Sequence, residues 1–135
     1  KEKLGEDKIY TFRRSWDVKP EALDKESPYH PINIDAYNSV PREILPNTES
    51  LKDTYERVVK YFAEEIKEKL KNNNILISAH GNSIRALCKY LFKLDNNEIS
   101  KLEIPTCNPL LIELDKNIEV KNCVNILINK ELKIL

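Results

Sequence analysis

The stretch Ile75–Leu87, ILISAHGNSIRAL, decides the fold: a short apolar run, a break containing glycine, then apolar residues at helical spacing. Ile75-Leu76-Ile77-Ser78-Ala79 has the composition of a strand buried on both faces, as strands of parallel sheets are. Ile84, Leu87, Cys88 and Leu91 predict a helix over about residues 82–94. In open α/β sheets, ligands gather beyond the carboxyl ends of the strands, where a loop meets the next helix. His80-Gly81-Asn82-Ser83 holds that place. Gly81 keeps a side chain out of the way of an approaching ligand, and the free N–H groups around Asn82 lie at the positive end of a helix dipole. A phosphate suits such a site, and His80 can add a hydrogen bond or a positive charge to it. Position alone leaves a second reading open, in which His80 is structural and Asn82 or Ser83 only caps the helix.

Working outward, Leu51, Tyr55, Val58, Val59, Phe62, Ile66 and Leu70 fall at steps of three and four, so an amphipathic helix over about 50–71 precedes the strand. Thr48 or Ser50 can cap it, and Asn72-Asn73-Asn74 stops it. Lys1 to Asp17 reads as a helix broken or started near Gly5. Between these, Pro20, Pro28, Pro31, Pro41 and Pro46 interrupt any regular element, leaving a long irregular excursion of the kind that can fold over a site. After the loop come a short helix near Asn97–Leu102 and candidate strands Leu110–Leu114 and Val120–Ile126. Helix, buried strand, helix is the α/β rhythm. The expected class is therefore α/β, three-layer, with a mainly parallel sheet and helices on both faces.

A chain of 135 residues fits one core. Its 22 basic and 22 acidic residues balance, so no broad field exists to hold nucleic acid or anionic lipid, and any anion must be captured locally. The apolar runs fall far short of the roughly 20 residues that cross a bilayer. Cys88, Cys107 and Cys123 have no paired metal-type spacing, which suits a reducing compartment, the cytoplasm by default. The cysteines are expected to pack, with Cys107 the one open to exposure. The chain has no methionine and opens on Lys1-Glu2-Lys3, from which we expect a fragment.

Arg13-Arg14, flanked by Phe12 and Trp16, can clamp a carboxylate or phosphate, or can simply form a solvated helix face over core aromatics. Arg85, one turn into the helix after His80, either faces the site or pairs with an acid, and pairing is expected. His30, in the proline-rich segment, is assigned no role.

Taken together, these segments resemble the cofactor-dependent phosphoglycerate mutases of the histidine phosphatase superfamily. Phe12-Arg13-Arg14-Ser15-Trp16-Asp17 is similar to that family's aromatic-Arg-Arg-Ser-aromatic-Asp segment. Leu45-Pro46 and Thr48-Glu49-Ser50-Leu51-Lys52-Asp53-Thr54 are similar to its helix start, Ala79–Leu87 to its second histidine loop, and Ile104-Pro105-Thr106 with Pro109-Leu110 and Glu113-Leu114-Asp115 to its late turn and strand. The resemblance implies transfer of a phosphoryl group between the 2 and 3 positions of phosphoglycerate through a phosphohistidine, primed by 2,3-bisphosphoglycerate and needing no metal. It implies His80 as the second histidine, stabilising the phosphoryl group with the N–H of Gly81 beside it. Asn82, Arg13 and Arg14 would hold the substrate carboxylate and distal phosphate. The implied partner is a small phosphorylated molecule, and a homo-oligomer stays open for the intact parent.

The family's nucleophilic histidine, in an Arg-His-Gly motif, and its acid–base glutamate have no counterpart in these residues, since alanine precedes His80 where the nucleophile motif has arginine. Residues 1–135 thus read as the C-terminal part of one mutase-like domain, inactive alone. Cys107 stands where the family's late turn has glycine, and Ile112 where tyrosine is common. Two alternatives remain: a phosphatase of the same superfamily, against which Arg13-Arg14 argues, and a non-catalytic scaffold that contacts a partner through Val18–Pro46.

Overall fold

The computed structural model describes residues 5–125 and 130–131. Gly5, at φ 76°, starts helix α1, Glu6–Arg14, with Glu6 and Asp7 at its positive end and Arg13 and Arg14 at its negative end. Of the two readings, broken or started near Gly5, the described residues show the start, and Leu4 lies outside them. The proline-rich excursion holds only single turns at Pro31–Asn33, Asp35–Tyr37 and Arg42–Ile44. It is tied down nonetheless. The Asn33 amide donates to the carbonyls of Lys25 and Ser27, both at 2.8 Å, and Thr48 Oγ1 donates to Pro20 O at 2.7 Å. At its centre His30 is 1% exposed, accepting from Ile32 N–H at Nδ1 (3.2 Å) and donating from Nε2 to Asn47 Oδ1 (2.9 Å).

The expected helix 50–71 is realised in three consecutive pieces: α2, Leu51–Tyr61, a wider π turn at Phe62–Ile66, and a tight turn at Lys69–Lys71. Ser50 is its cap. The Asp53 N–H donates to Ser50 Oγ (3.2 Å) while Ser50 N–H donates to Asp53 Oδ2 (2.8 Å), a reciprocal capping box. Helix α3, Gly81–Phe92, ends where Lys93 turns left-handed at φ 56°, letting the N–H of Leu94 reach back to Lys89 O at 3.1 Å. Lys89 closes the same end through Leu94 O at 2.6 Å and lies 4.5 Å over the Trp16 ring. Asp95 caps the short α4, Asn96–Lys101, at the place where a helix is expected.

Helices α2 and α3 pack on each other beside one core of Leu51, Ala86, Leu94 and, from α4, Ile99, all buried, with Trp16, Tyr55, Val58, Phe92 and Leu102 around them. Ala86, fully enclosed, lets the helices approach closely, and each buried Leu or Ile contributes about 1.5–3 kcal/mol. This core fixes where the N-terminus of α3 stands relative to α1 and α2.

The sheet departs from expectation. Strands β1, Leu110–Leu114, β2, Val120–Asn125, and β3, Lys130–Glu131, lie in the order β1-β2-β3 and pair antiparallel throughout. Ile126, expected in the second strand, lies outside the described residues. A five-residue connection, Asp115–Glu119, imposes the antiparallel sense, because a parallel pair needs a crossover of a dozen residues or more. Ile75–Ala79 forms no ladder among the described residues, and Leu76 is 93% exposed. A strand exists only by virtue of a neighbour, and no described strand lies beside this one. Helices and strands in one chain keep the α/β class, while the parallel three-layer sheet is not formed among the described residues. Cys88 and Cys123 are buried and Cys107 is exposed, as expected.

Candidate active site: a cleft at the start of helix α3

Phe12 and Arg13 from α1, Glu49 to Leu51, Thr54 and Arg57 around the start of α2, and His80, Asn82, Ser83 and Arg85 at the start of α3 line a cleft of about 260 Å³. Three helix ends therefore converge on it, two of them N-termini with free N–H groups. The side chain of His80 caps α3 by accepting from Asn82 N–H at Nδ1 (3.2 Å). That acceptor role places the ring proton of the neutral imidazole on Nε2, which has no partner among the described residues. His80 is exposed, so a ligand can reach this donor. Gly81 is the first residue of α3, and nothing stands within 4 Å of where a Cβ would be, which leaves its N–H open to approach.

Electrostatically the cleft is positive. Arg13, Arg57 and Arg85 line it against one acid, Glu49, which is bonded to Arg57 through both carboxylate oxygens (2.7 and 3.0 Å). The Glu49 bond raises the Arg57 pKa above its ordinary value, so the guanidinium stays charged and its plane is held along the wall. The pair is half-open to water and contributes orientation more than stability.

Of the residues expected to bind ligand, His80, Asn82 and Arg13 are brought together from distant segments, with Gly81 between the first two. Arg14 is not among the lining residues. It is bonded to Glu103. Arg85 does line the cleft, but the acid partner expected for it is absent among the described residues. Its Nη1 donates to Arg13 O (3.2 Å) and Asn82 Oδ1 (3.3 Å), and Nη2 donates to Ile99 O (2.6 Å). Burial lowers its pKa, with the Arg14 charge adding to the effect and Glu103 opposing it. Glu49 and Arg57 were not anticipated. The signal available was faint: an arginine two turns into a helix whose first turn follows an acid. No residue of the excursion 18–46 lines the cleft.

An anion with several oxygens suits this lining: the open Nε2–H of His80, free helix N–H groups, the Asn82 amide and the guanidinium groups of Arg13 and Arg57. The Nε–H of Arg85 is buried and has no hydrogen-bond partner among the described residues. Among the described residues no helix is long and apolar enough to cross a membrane.

The profile of the histidine phosphatase superfamily (branch 1) matches residues 16–126. Similar sequences include the 2,3-bisphosphoglycerate-dependent phosphoglycerate mutase of Pelagibacter ubique (strain HTCC1062), 67% identical over 124 residues, which are 91% of this chain and 52% of the relative. The mutase of the same name from Borreliella afzelii (strain PKo) is 49% identical over 86% of this chain and 47% of its own length. That of Maricaulis maris (strain MCS10) is 44% identical over 84% and 47%. The chain spans about half the length of the curated relatives it matches.

Proposed function

The chain belongs to the histidine phosphatase superfamily, and from that premise we propose that it is the C-terminal part of one phosphoglycerate mutase domain, acting in the cytoplasm on a small phosphorylated substrate. The intact parent interconverts 3-phosphoglycerate and 2-phosphoglycerate, its phosphoryl group carried by a histidine outside these residues. The observation that carries this reading is the meeting of His80, Asn82 and Arg13 at one positive cleft over the start of α3.

In this reading His80 donates Nε2–H to the phosphoryl oxygens during transfer, when their charge is most spread, and the Gly81 N–H assists. Such help is worth most in the transition state, because phosphoryl transfer is mainly positioning and charge stabilisation. Arg13 and Asn82 hold the carboxylate and the distal phosphate. Arg14 joins them by exchanging Glu103 for the ligand. The same donors fit 2,3-bisphosphoglycerate, which supplies the priming phosphoryl group when bound. We also assign Ile75–Ala79 to a parallel sheet in the intact parent, since its composition suits burial on both faces. A homo-oligomer is compatible with this assignment.

The test is an assay of the intact parent with 3-phosphoglycerate and catalytic 2,3-bisphosphoglycerate. Formation of 2-phosphoglycerate is expected. Release of inorganic phosphate with no 2-phosphoglycerate would overturn the mutase reading in favour of hydrolysis.

A further inference from the structure

The geometry points to Arg85 as the positioning residue that sets Arg13 and Asn82 in place together, so that one buried guanidinium builds the ligand-holding wall of the cleft. This rests on the reading above in taking Arg13 and Asn82 as ligand-binding groups.

Arg85 is only 6% exposed, and a charge so buried ordinarily meets a carboxylate. The nearby acid, Glu103, is engaged by Arg14, and the Nη donors of Arg85 go to three uncharged oxygens on three different helices. Arg13 O belongs to the last turn of α1, and Ile99 O to the last turn of α4. Carbonyls in such positions lack an intrahelical donor, and Arg85 supplies one to each. The third oxygen, Asn82 Oδ1, sits at the opposite kind of end, the first turn of α3.

Two consequences follow for the site. Because Asn82 Oδ1 accepts from Arg85, the amide is oriented with its Nδ2 hydrogens left for a ligand oxygen. Because the Arg13 carbonyl is bound to a residue of α3, the Arg13 side chain starts from a fixed point relative to the His80 loop. A lysine could reach one of these oxygens but could not span all three, since it lacks the planar fork.

The experiment measures 3-phosphoglycerate affinity of the intact parent by calorimetry for wild type, Arg85→Lys, Arg85→Gln, Asn82→Ala and the double variant Arg85→Lys/Asn82→Ala. Ligand-free thermal melts of the same proteins report on the fold. Each Arg85 variant is expected to bind about tenfold more weakly, with the turnover number within about threefold of wild type. The double variant is expected to bind no worse than the weaker single one, about fivefold short of the product of the two effects. A purely structural role would make the effects multiply, and that result overturns the inference, as does wild-type affinity in Arg85→Lys. If Arg85→Lys does not fold, Arg85→Gln and its double variant with Asn82→Ala decide. If neither folds, the role is one of fold and the inference is wrong. Binding without conversion sinks the mutase reading and leaves the Arg85 cycle intact as a test, whereas absence of binding sinks both.

Discussion

His30 and His80 make the same local bond and have opposite fates. Each accepts, at Nδ1, the backbone N–H two residues further on, at 3.2 Å in both cases, and each stands at the N-cap of a helical turn. Local chemistry does not distinguish them. The difference is made elsewhere: Asn47 comes in to take Nε2 of His30, burying the ring, while Nε2 of His80 has no protein partner among the described residues. The helices behind them differ too, since His30 opens a single turn and His80 opens the twelve-residue α3. A longer helix offers an anion a fuller dipole and a row of free N–H groups. A histidine cap is thus a neutral device, and what tertiary structure does with its far nitrogen decides whether it holds a loop or faces a ligand.

The largest effect should come from removing the open ring. His80→Ala in the intact parent is expected to lower turnover by about 10²–10³, read from initial rates of 2-phosphoglycerate formation. Near-normal turnover would erase the distinction drawn between the two rings. The converse change, His30→Ala, should cost about 2–3 kcal/mol of stability in urea melts and leave 3-phosphoglycerate affinity where it was. A loss of affinity instead would show that the excursion communicates with the cleft.

A third cap, the Ser50–Asp53 box at the start of α2, tests what a charge adds to such a bond. Hydrogen bonding from Ser50, aided by Lys19, holds the Asp53 carboxyl well below the usual carboxylate range. Its folded pKa lies below its unfolded value, so the box contributes fully above about pH 4 and is lost as pH falls through the folded pKa. Asp53→Asn should therefore cost about 1 kcal/mol at pH 7 and progressively less on acidification, in paired urea melts. A cost that does not change with pH would mean that the bond, not the charge, stabilises the cap. An effect of similar size and opposite sign is expected at Ile118, a β-branched residue held at φ 66° in the β1–β2 turn. Ile118→Asn should gain about 1 kcal/mol in thermal melts, and a loss would show that its packing outweighs the backbone strain.

What could be read from the sequence was local. The start of α2 was legible because Ser50 and Asp53 satisfy each other three residues apart, and β1 because Leu110–Leu114 is bounded by Pro109 and Asp115. The meeting of His80 with Arg13 was reached only through resemblance, since no spacing relates residues so far apart. Three features were not legible. Ile75–Ala79 was read as a strand from its composition, yet pairing depends on a neighbour. Arg85 was expected to meet an acid because buried charges usually do, while its actual partners are carbonyls fixed by how α1 and α4 end. His30 offered no signal because Asn47, which makes it structural, acts from across a loop.

The unpaired apolar segment Ile75–Ala79 bears on how the protein is handled. Uncharged, free of proline and rich in β-branched residues, with Leu76 turned to solvent, it has the composition of a window that recruits like segments from other chains. The segment most open to self-pairing therefore lies next to the His80 loop. Leu76→Lys is expected to raise the concentration at which this chain stays monomeric in light scattering while leaving the His80 cap untouched.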